Sequence, residues 1–174
     1  MIDARDQILS SSTSRSGRRH ALADTAVRRS PSSKAATPRK SLGVERVFSD
    51  PKTKPFEQVE WEKRVAEITD DGGKVIFRQE NVEVPRFWSI LATKVVVSKY
   101  FYGEQNTPER ETSVRQLIHR VCRTIADWGV KDGYFTAVEG EVFYDELTWL
   151  CVNQYGAFNS PVWFNIGLYH QYGV

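Results

Sequence analysis

The chain has 174 residues, of which 40% are hydrophobic, 26% charged and 12% aromatic, which is typical of a globular protein with one ordinary domain. No apolar run approaches the roughly 20 residues that a membrane-spanning helix needs, so we expect a soluble protein without a membrane partner. Its two cysteines, Cys122 and Cys151, are too few for a zinc site or a disulfide framework. This cysteine usage suits a reducing compartment such as the cytoplasm.

The net charge of +2 conceals an uneven distribution. Residues 1–46 hold ten basic and four acidic residues, whereas the remainder holds fourteen basic and eighteen acidic ones. The first segment is rich in Ser, Arg, Pro and Ala and cannot bury enough surface to offset the entropy of ordering, which predicts a disordered basic tail. It is either a solvated extension, including one created by a start codon assigned too far upstream, or a weak site for nucleic acid or another polyanion. Acidic residues at 3, 6 and 24 argue against a transit peptide.

The folded part is predicted to begin near Val47, where aromatic residues and turn-forming prolines first appear. The run DDGG at 70–73 is a strong turn signal. Alternating β-formers after it predict two short strands, Lys74 to Gln79 and Val82 to Val84, that pair with each other as a small hairpin.

Three helices are predicted beyond Pro85. Apolar residues spaced by three and four indicate a first helix that ends near Gly103. A second helix is expected to be capped by Thr107 and to continue to Gly129, with Glu109 and Glu111 favouring the positive end of its dipole. A third helix is expected from about Glu141 to Tyr155, followed by a glycine stop.

Two residues of the second helix carry reactive side chains. Cys122 falls on the apolar stripe, so we interpret it as a small apolar core residue without a redox role. His119 lies beside that stripe with no carboxylate or second histidine at ligand spacing, which argues against a catalytic or metal role. The sequence therefore predicts no catalytic residue and no metal ligand in this region.

The stretch FNSPVWFNIG at 158–167 is the least ordinary part of the sequence. Pro161 is expected to hold Ser160 extended, and Val162, Phe164 and Ile166 then alternate with other residues, which predicts a loop leading into a strand. Ser160 and Asn159 offer hydroxyl, amide and backbone groups to a polar ligand. A turn cap with amides satisfied by the backbone explains the same residues equally well.

Catalytic motifs are otherwise scarce. The chain contains no glycine-rich phosphate loop, no HExxH, no paired cysteines and no nucleophile elbow. One hypothesis is therefore a small helical nucleic-acid-binding protein that uses a basic disordered tail. The acidic balance beyond residue 46 and the placement of aromatic residues on apolar stripes argue against it.

A resemblance favours a different hypothesis. The segments RVFSDP, PFEQVEWEKR, VPRFWSILATKVVVSKYFYGE, TPERETSVRQLIHRV and FYDELTWLCVNQYGAFNSPVWFNIGLYHQYG follow one another over about residues 45–174. Together they resemble the N-terminal region of adenosylcobalamin-dependent, class II ribonucleotide reductases of the long bacterial type. The specific element is FNSPVWFN, which is similar to the family's NSP-x-x-FN element at the entrance to its ten-stranded α/β barrel.

The resemblance implies a mainly α fold, in which a helical region with a small β-hairpin leads into the first strand of a barrel that is cut off. The implied domains are a tail over 1–46, a helical domain over 47–157 and the start of the barrel over 158–174. On this hypothesis the chain is an N-terminal fragment of a longer enzyme, either natural or a truncated reading frame, and is inactive alone.

The activity implied by the resemblance is the replacement of the ribose 2′-hydroxyl of a ribonucleotide by hydrogen, which supplies deoxynucleotides for DNA synthesis. Adenosylcobalamin initiates thiyl radical chemistry on cysteines that belong to later segments of the family, and neither cysteine here matches them. The implied substrate-binding residues are Ser160, Asn159 and Pro161. The implied partners are a ribonucleotide, a thiol reductant such as thioredoxin, and the remainder of the reductase chain, with a homodimer as an open alternative.

Overall fold

The computed structural model describes residues 40–174, so most of the predicted basic tail lies outside the described residues. The described chain forms a two-stranded hairpin followed by helices. Its elements are a short 3-10 turn Pro55–Glu57, β1 Trp61–Thr69, β2 Val75–Pro85, α1 Ile90–Lys99, α2 Val114–Lys131, α3 Ala137–Val152, α4 Ser160–Asn165 and α5 Leu168–Tyr172. No helix in the described part of the chain is both long enough and apolar enough to cross a membrane.

The hairpin is larger than predicted and has a different partner strand. β1 and β2 pair antiparallel, with Trp61 opposite Pro85 and Thr69 opposite Val75. The DDGG run is indeed the turn, but it joins β2 to the preceding strand. The predicted pairing of Lys74–Gln79 with Val82–Val84 is wrong, because residues 75–85 form one continuous strand despite a positive φ of 56° at Asn81.

Helix α2 begins later than predicted. Ser113 caps it by accepting a hydrogen bond from the Arg115 N–H, and Gln116 Oε1 accepts from the backbone N–H of Ser113 at 3.0 Å. This capping box starts the helix after the predicted cap Thr107. Glu111 consequently lies outside the helix, where it is fully buried instead of facing the helix dipole.

Helices α2 and α3 pack together over the core. Helix α3 has its own capping box, formed by Thr136 and Glu139, and ends at Val152, earlier than predicted. The predicted inward stripe of α2 is confirmed. Core residues from the hairpin and the helices are Ala66, Val82, Val84, Trp88, Val97, Phe101, Val114, Leu117, Ile118, Val121, Cys122, Ala126, Tyr144, Cys151, Val152 and Trp163.

The predicted strand after Pro161 is wrong, because residues 160–165 form α4. Asn159 adopts the extended backbone conformation, with φ −69° and ψ 161°, and Pro161 lies in the first helical turn, where its missing N–H costs no hydrogen bond. Trp163 is buried, and Val162 and Ile166 are partly buried. This spacing is that of a helix, whereas the short alternating pattern in the sequence suggested a strand. The hairpin is the only sheet within residues 40–174, so the barrel stays an expectation.

The segment that enters the fold is attached to α3. Arg46, assigned to the tail from sequence, forms an ion pair of 2.7 Å with the buried carboxylate of Asp145. The adjacent Glu146 accepts backbone N–H hydrogen bonds from residues 47, 48 and 49 at 2.8–3.1 Å. These contacts fix the chain before it reaches β1.

Candidate functional site

Ser160 is the first residue of α4 and is half-buried. Its hydroxyl oxygen lies 3.0 Å from the phenol oxygen of Tyr100, the residue that follows the last residue of α1. The hydroxyl is thus held between two helices that are 60 residues apart in sequence. A half-buried hydroxyl in this position can form one hydrogen bond with a neighbouring residue and another with a bound ligand.

Asn159 and Pro161, the other two residues predicted for the site, flank Ser160 and are exposed. The Asn159 carbonyl accepts from the N–H groups of Val162 and Trp163 at 3.1 and 3.3 Å, whereas its side chain makes no capping hydrogen bond. The Pro161 carbonyl accepts from the Asn165 side-chain amide at 2.8 Å. The backbone around Ser160 is therefore satisfied internally, which leaves the Asn159 amide accessible to a ligand.

Aromatic rings surround the Ser160–Tyr100 contact. The Tyr100 ring centroid lies 5.3 Å from that of Phe164 and 6.4 Å from that of Trp163. Phe158 meets Trp163 edge to face at 5.2 Å. Such packing restricts the rotamers of large side chains, so the rings set the position of the Tyr100 hydroxyl.

An apolar cavity of about 220 Å³ lies against residues 156–158 and Trp163. Its walls include Trp88, Tyr100, Phe158 and Trp163, together with aliphatic side chains of α1 and α2. The Trp88 indole N–H donates to the Val152 carbonyl at 2.8 Å, which secures one wall. Residues on either side of Ser160 therefore line an apolar cavity.

A buried ion pair anchors the Ser160 segment to α2. Arg120 and Glu111 are almost completely buried, and the Arg120 Nε lies 2.9 Å from Glu111 Oε1. The Arg120 guanidinium also donates to the carbonyls of Ile166 at 2.7 Å and Trp163 at 3.3 Å. Glu111 in turn accepts from the Tyr172 hydroxyl at 3.0 Å. One guanidinium thus holds the backbone on which Ser160 lies.

Gly167 permits the close approach of this segment to α2. Its φ is +83°, and a Cβ at this position would lie 2.5 Å from the Arg120 carbonyl oxygen. Both the left-handed backbone and the lack of space favour glycine here. The glycine therefore completes the attachment that begins with the ion pair.

Sequence reasoning missed Tyr100, Glu111 and Arg120 as parts of this region. The sequence places Tyr100 only within the predicted first helix, and it predicts that Glu111 interacts with the dipole of the second helix. A signal for Arg120 was available, since it occupies a position in the stripe between Leu117 and Val121 where an arginine is buried only with a partner. The partner could not be identified without the tertiary structure.

The two cysteines are neighbours in the fold although 29 positions separate them. Contact with the Cys151 thiol, together with burial, raises the pKa of Cys122 well above its ordinary range. Both are free, buried thiols, so Cys122 is a core residue as predicted. A protonated buried thiol is a poor nucleophile.

His119 is likewise accounted for by a structural contact. Its Nδ1 lies 2.7 Å from the Tyr144 hydroxyl, and burial together with nearby Arg123 lowers its pKa. Within residues 40–174 there is no cluster of three or more His, Cys, Asp or Glu residues that could hold a metal ion. The apolar cavity beside Ser160 suits a small group rather than a corrin macrocycle. This cavity of about 220 Å³ therefore does not fit cobalamin, and we derive no step through it.

Comparisons with known proteins agree on one family. A family model described as class II vitamin B12-dependent ribonucleotide reductase matches residues 62–154. A vitamin B12-dependent ribonucleotide reductase from Rhodopirellula baltica is 62% identical over 122 residues, which cover 69% of this chain and 12% of that protein.

More distant relatives carry the same name. The proteins from Streptomyces coelicolor and Agrobacterium fabrum are 43% identical over 141 residues and 33% identical over 167 residues. These matches cover 80% and 76% of this chain but 15% and 13% of the relatives. The chain therefore spans about an eighth of the length of the curated proteins it matches.

Proposed function

The chain belongs to the class II vitamin B12-dependent ribonucleotide reductase family, and from this premise we propose that it is the N-terminal domain of an enzyme that converts ribonucleotides to deoxyribonucleotides. The match over residues 62–154 carries this proposal, because it includes the hairpin except for Trp61 and the whole of helices α1 to α3. The comparisons do not support the alternative of a small nucleic-acid-binding protein.

We propose that Ser160 contacts the bound nucleotide and takes no part in the radical chemistry. Its half-buried hydroxyl and the accessible Asn159 amide lie at the N-terminal end of α4, and Pro161 lies in the first turn of that helix. The Glu111–Arg120 ion pair secures this backbone from below. A rigid backbone that presents a hydroxyl suits the binding of a polar substrate, because little ordering entropy is lost on binding.

The proposed substrate is a ribonucleoside diphosphate, and the proposed cofactor of the complete enzyme is adenosylcobalamin. The cofactor would supply the radical, and we assign its contacts and the catalytic cysteines to residues outside this chain. A thiol reductant such as thioredoxin would restore those cysteines. We further propose a cytoplasmic location, since both cysteines here are free thiols.

The test compares the full-length reductase with its Ser160→Ala variant. The expected loss of binding for CDP or CTP is about the worth of one hydrogen bond, roughly 0.5–1.5 kcal/mol, and up to about 3 kcal/mol if the partner is a phosphate. Equilibrium dialysis measures the affinity, and anaerobic absorption spectroscopy measures cobalt–carbon homolysis, which should survive. Comparing CDP with CTP distinguishes a diphosphate from a triphosphate substrate.

Ser98→Ala is the matched control, since Ser98 lies on α1 and its hydroxyl bonds the Val95 carbonyl of the same helix. This variant should bind nucleotide as the parent does. The 174-residue chain alone should form no deoxyribonucleotide when it is supplied with adenosylcobalamin and a dithiol. Unchanged affinity in Ser160→Ala would remove Ser160 from the site, and turnover by the chain alone would contradict the proposed division of roles.

A further inference from the structure

The Ser160 hydroxyl already has a partner, the Tyr100 phenol, whose oxygen lies 3.0 Å away. Each of these hydroxyl groups has one proton and two lone pairs. A phenol, with an ordinary pKa near 10, is a stronger acid than an aliphatic alcohol and is therefore the better donor. The favoured arrangement has Tyr100 donating to Ser160, which leaves the Ser160 proton available to a second acceptor.

We propose that Tyr100 is a positioning residue of the nucleotide site, which directs the proton of Ser160 toward an oxygen of the bound ribonucleotide. The inference rests on the proposed function, because it acts through Ser160. A hydroxyl that accepts one hydrogen bond is polarised and donates a stronger second one. Tyr100 thus both orients Ser160 and strengthens its bond to the ligand.

The surrounding structure holds both hydroxyl groups in one frame. The Tyr100 N–H donates to the Val96 carbonyl at 2.9 Å, and its own carbonyl accepts from Arg120 Nη2 at 3.4 Å. The same guanidinium bonds the carbonyls of Trp163 and Ile166 on the Ser160 side. Because one buried group fixes both backbones, the two oxygens keep their separation when a ligand enters.

The ring of Tyr100 has a role separate from that of its hydroxyl. It forms part of the wall of the apolar cavity and packs against Phe164 and Trp163. Tyr100→Phe retains this packing and deletes only the hydroxyl. The substitution therefore separates the proposed positioning role from a structural one.

The experiment measures the dissociation constants of CDP and CTP in the full-length reductase without cobalamin, so that the readout does not depend on turnover. The proteins are the parent, Tyr100→Phe, Ser160→Ala and the double variant. Tyr100→Phe should weaken binding about two- to tenfold, the worth of one hydrogen bond. In the Ser160→Ala background the same substitution should have no further effect, because the residue it acts through is gone.

Tyr155→Phe is the matched control, since Tyr155 also packs its ring on a tryptophan, Trp149, but is exposed, and the hydrogen-bond partner of the Ser160 hydroxyl is Tyr100 instead. It should leave both dissociation constants unchanged. If Ser160→Ala weakens binding and Tyr100→Phe does not, the positioning role is overturned and the proposed site stands. Equal weakening by Tyr100→Phe in both backgrounds also overturns it. If Ser160→Ala leaves binding unchanged, the proposed site itself fails.

Discussion

Replacing Arg120 by methionine should destabilise the chain far more than replacing Arg123, a partly exposed arginine of the same helix. The substitution keeps a long apolar stem in the core, but it leaves the Glu111 carboxylate buried with no cation. The carbonyls of Trp163 and Ile166 lose their shared donor as well. Removal of one partner from a buried ion pair costs about 3–5 kcal/mol, a large part of a typical domain's stability.

Urea unfolding followed by tryptophan fluorescence measures this loss. If the free energy of unfolding falls by about 2 kcal/mol per M of urea, Arg120→Met should lower the urea concentration at the unfolding midpoint by roughly 1.5–2.5 M. Arg123→Met is the matched control, because Arg123 pairs with the exposed carboxylates of Asp127 and Glu141. An exposed pair contributes at most about 1 kcal/mol, so its midpoint should shift much less.

A double variant tests whether the loss comes from the ion pair. Glu111→Gln added to Arg120→Met removes the unpaired charge, so the two losses should fall short of additivity by about 0.5–3 kcal/mol. Hydrogen exchange of residues 160–172 should also quicken in Arg120→Met, because these residues are fixed through its guanidinium. A midpoint no lower than that of Arg123→Met would refute the anchoring role.

Two further predictions concern the segments attached to α2 and α3. Burial opposes ionisation of Glu146, but hydrogen bonds led by that of Ser49 outweigh the effect of burial and hold the pKa of Glu146 below the ordinary 4.5. The stabilisation that the ionised carboxylate provides is therefore present above pH 4.5 and is lost as the pH falls further. The stability difference between the parent and Glu146→Gln should shrink below pH 4.5 in thermal melts, and a constant difference would contradict this. Gly167→Ala should lower the free energy of unfolding by about 1–3 kcal/mol more than Gly173→Ala does. Both glycines have a positive φ, but only at Gly167 would the added Cβ clash with Arg120. Equal urea midpoints would show that the contact relaxes freely.

The sequence predicted those elements whose pattern either repeats along a long segment or depends only on a few adjacent residues. The apolar stripe of α2 runs along most of a helix of 18 residues, so its buried face and Cys122 were placed correctly. The DDGG turn was also recognised, since its geometry depends on a few adjacent residues. The resemblance supplied the family, which the match over residues 62–154 supports.

Tertiary structure decided what depends on distant partners. Residues 160–165 form a helix because Trp163 finds a buried place beside α1 and α2, whereas the short run by itself is compatible with a strand. The contact between Tyr100 and Ser160 joins positions 60 residues apart, and Glu111 becomes a buried partner of Arg120 instead of a helix-dipole residue. Such pairings leave no periodic pattern in the sequence. A buried charge or hydroxyl needs a partner, and only the fold decides which distant group is close enough to be that partner.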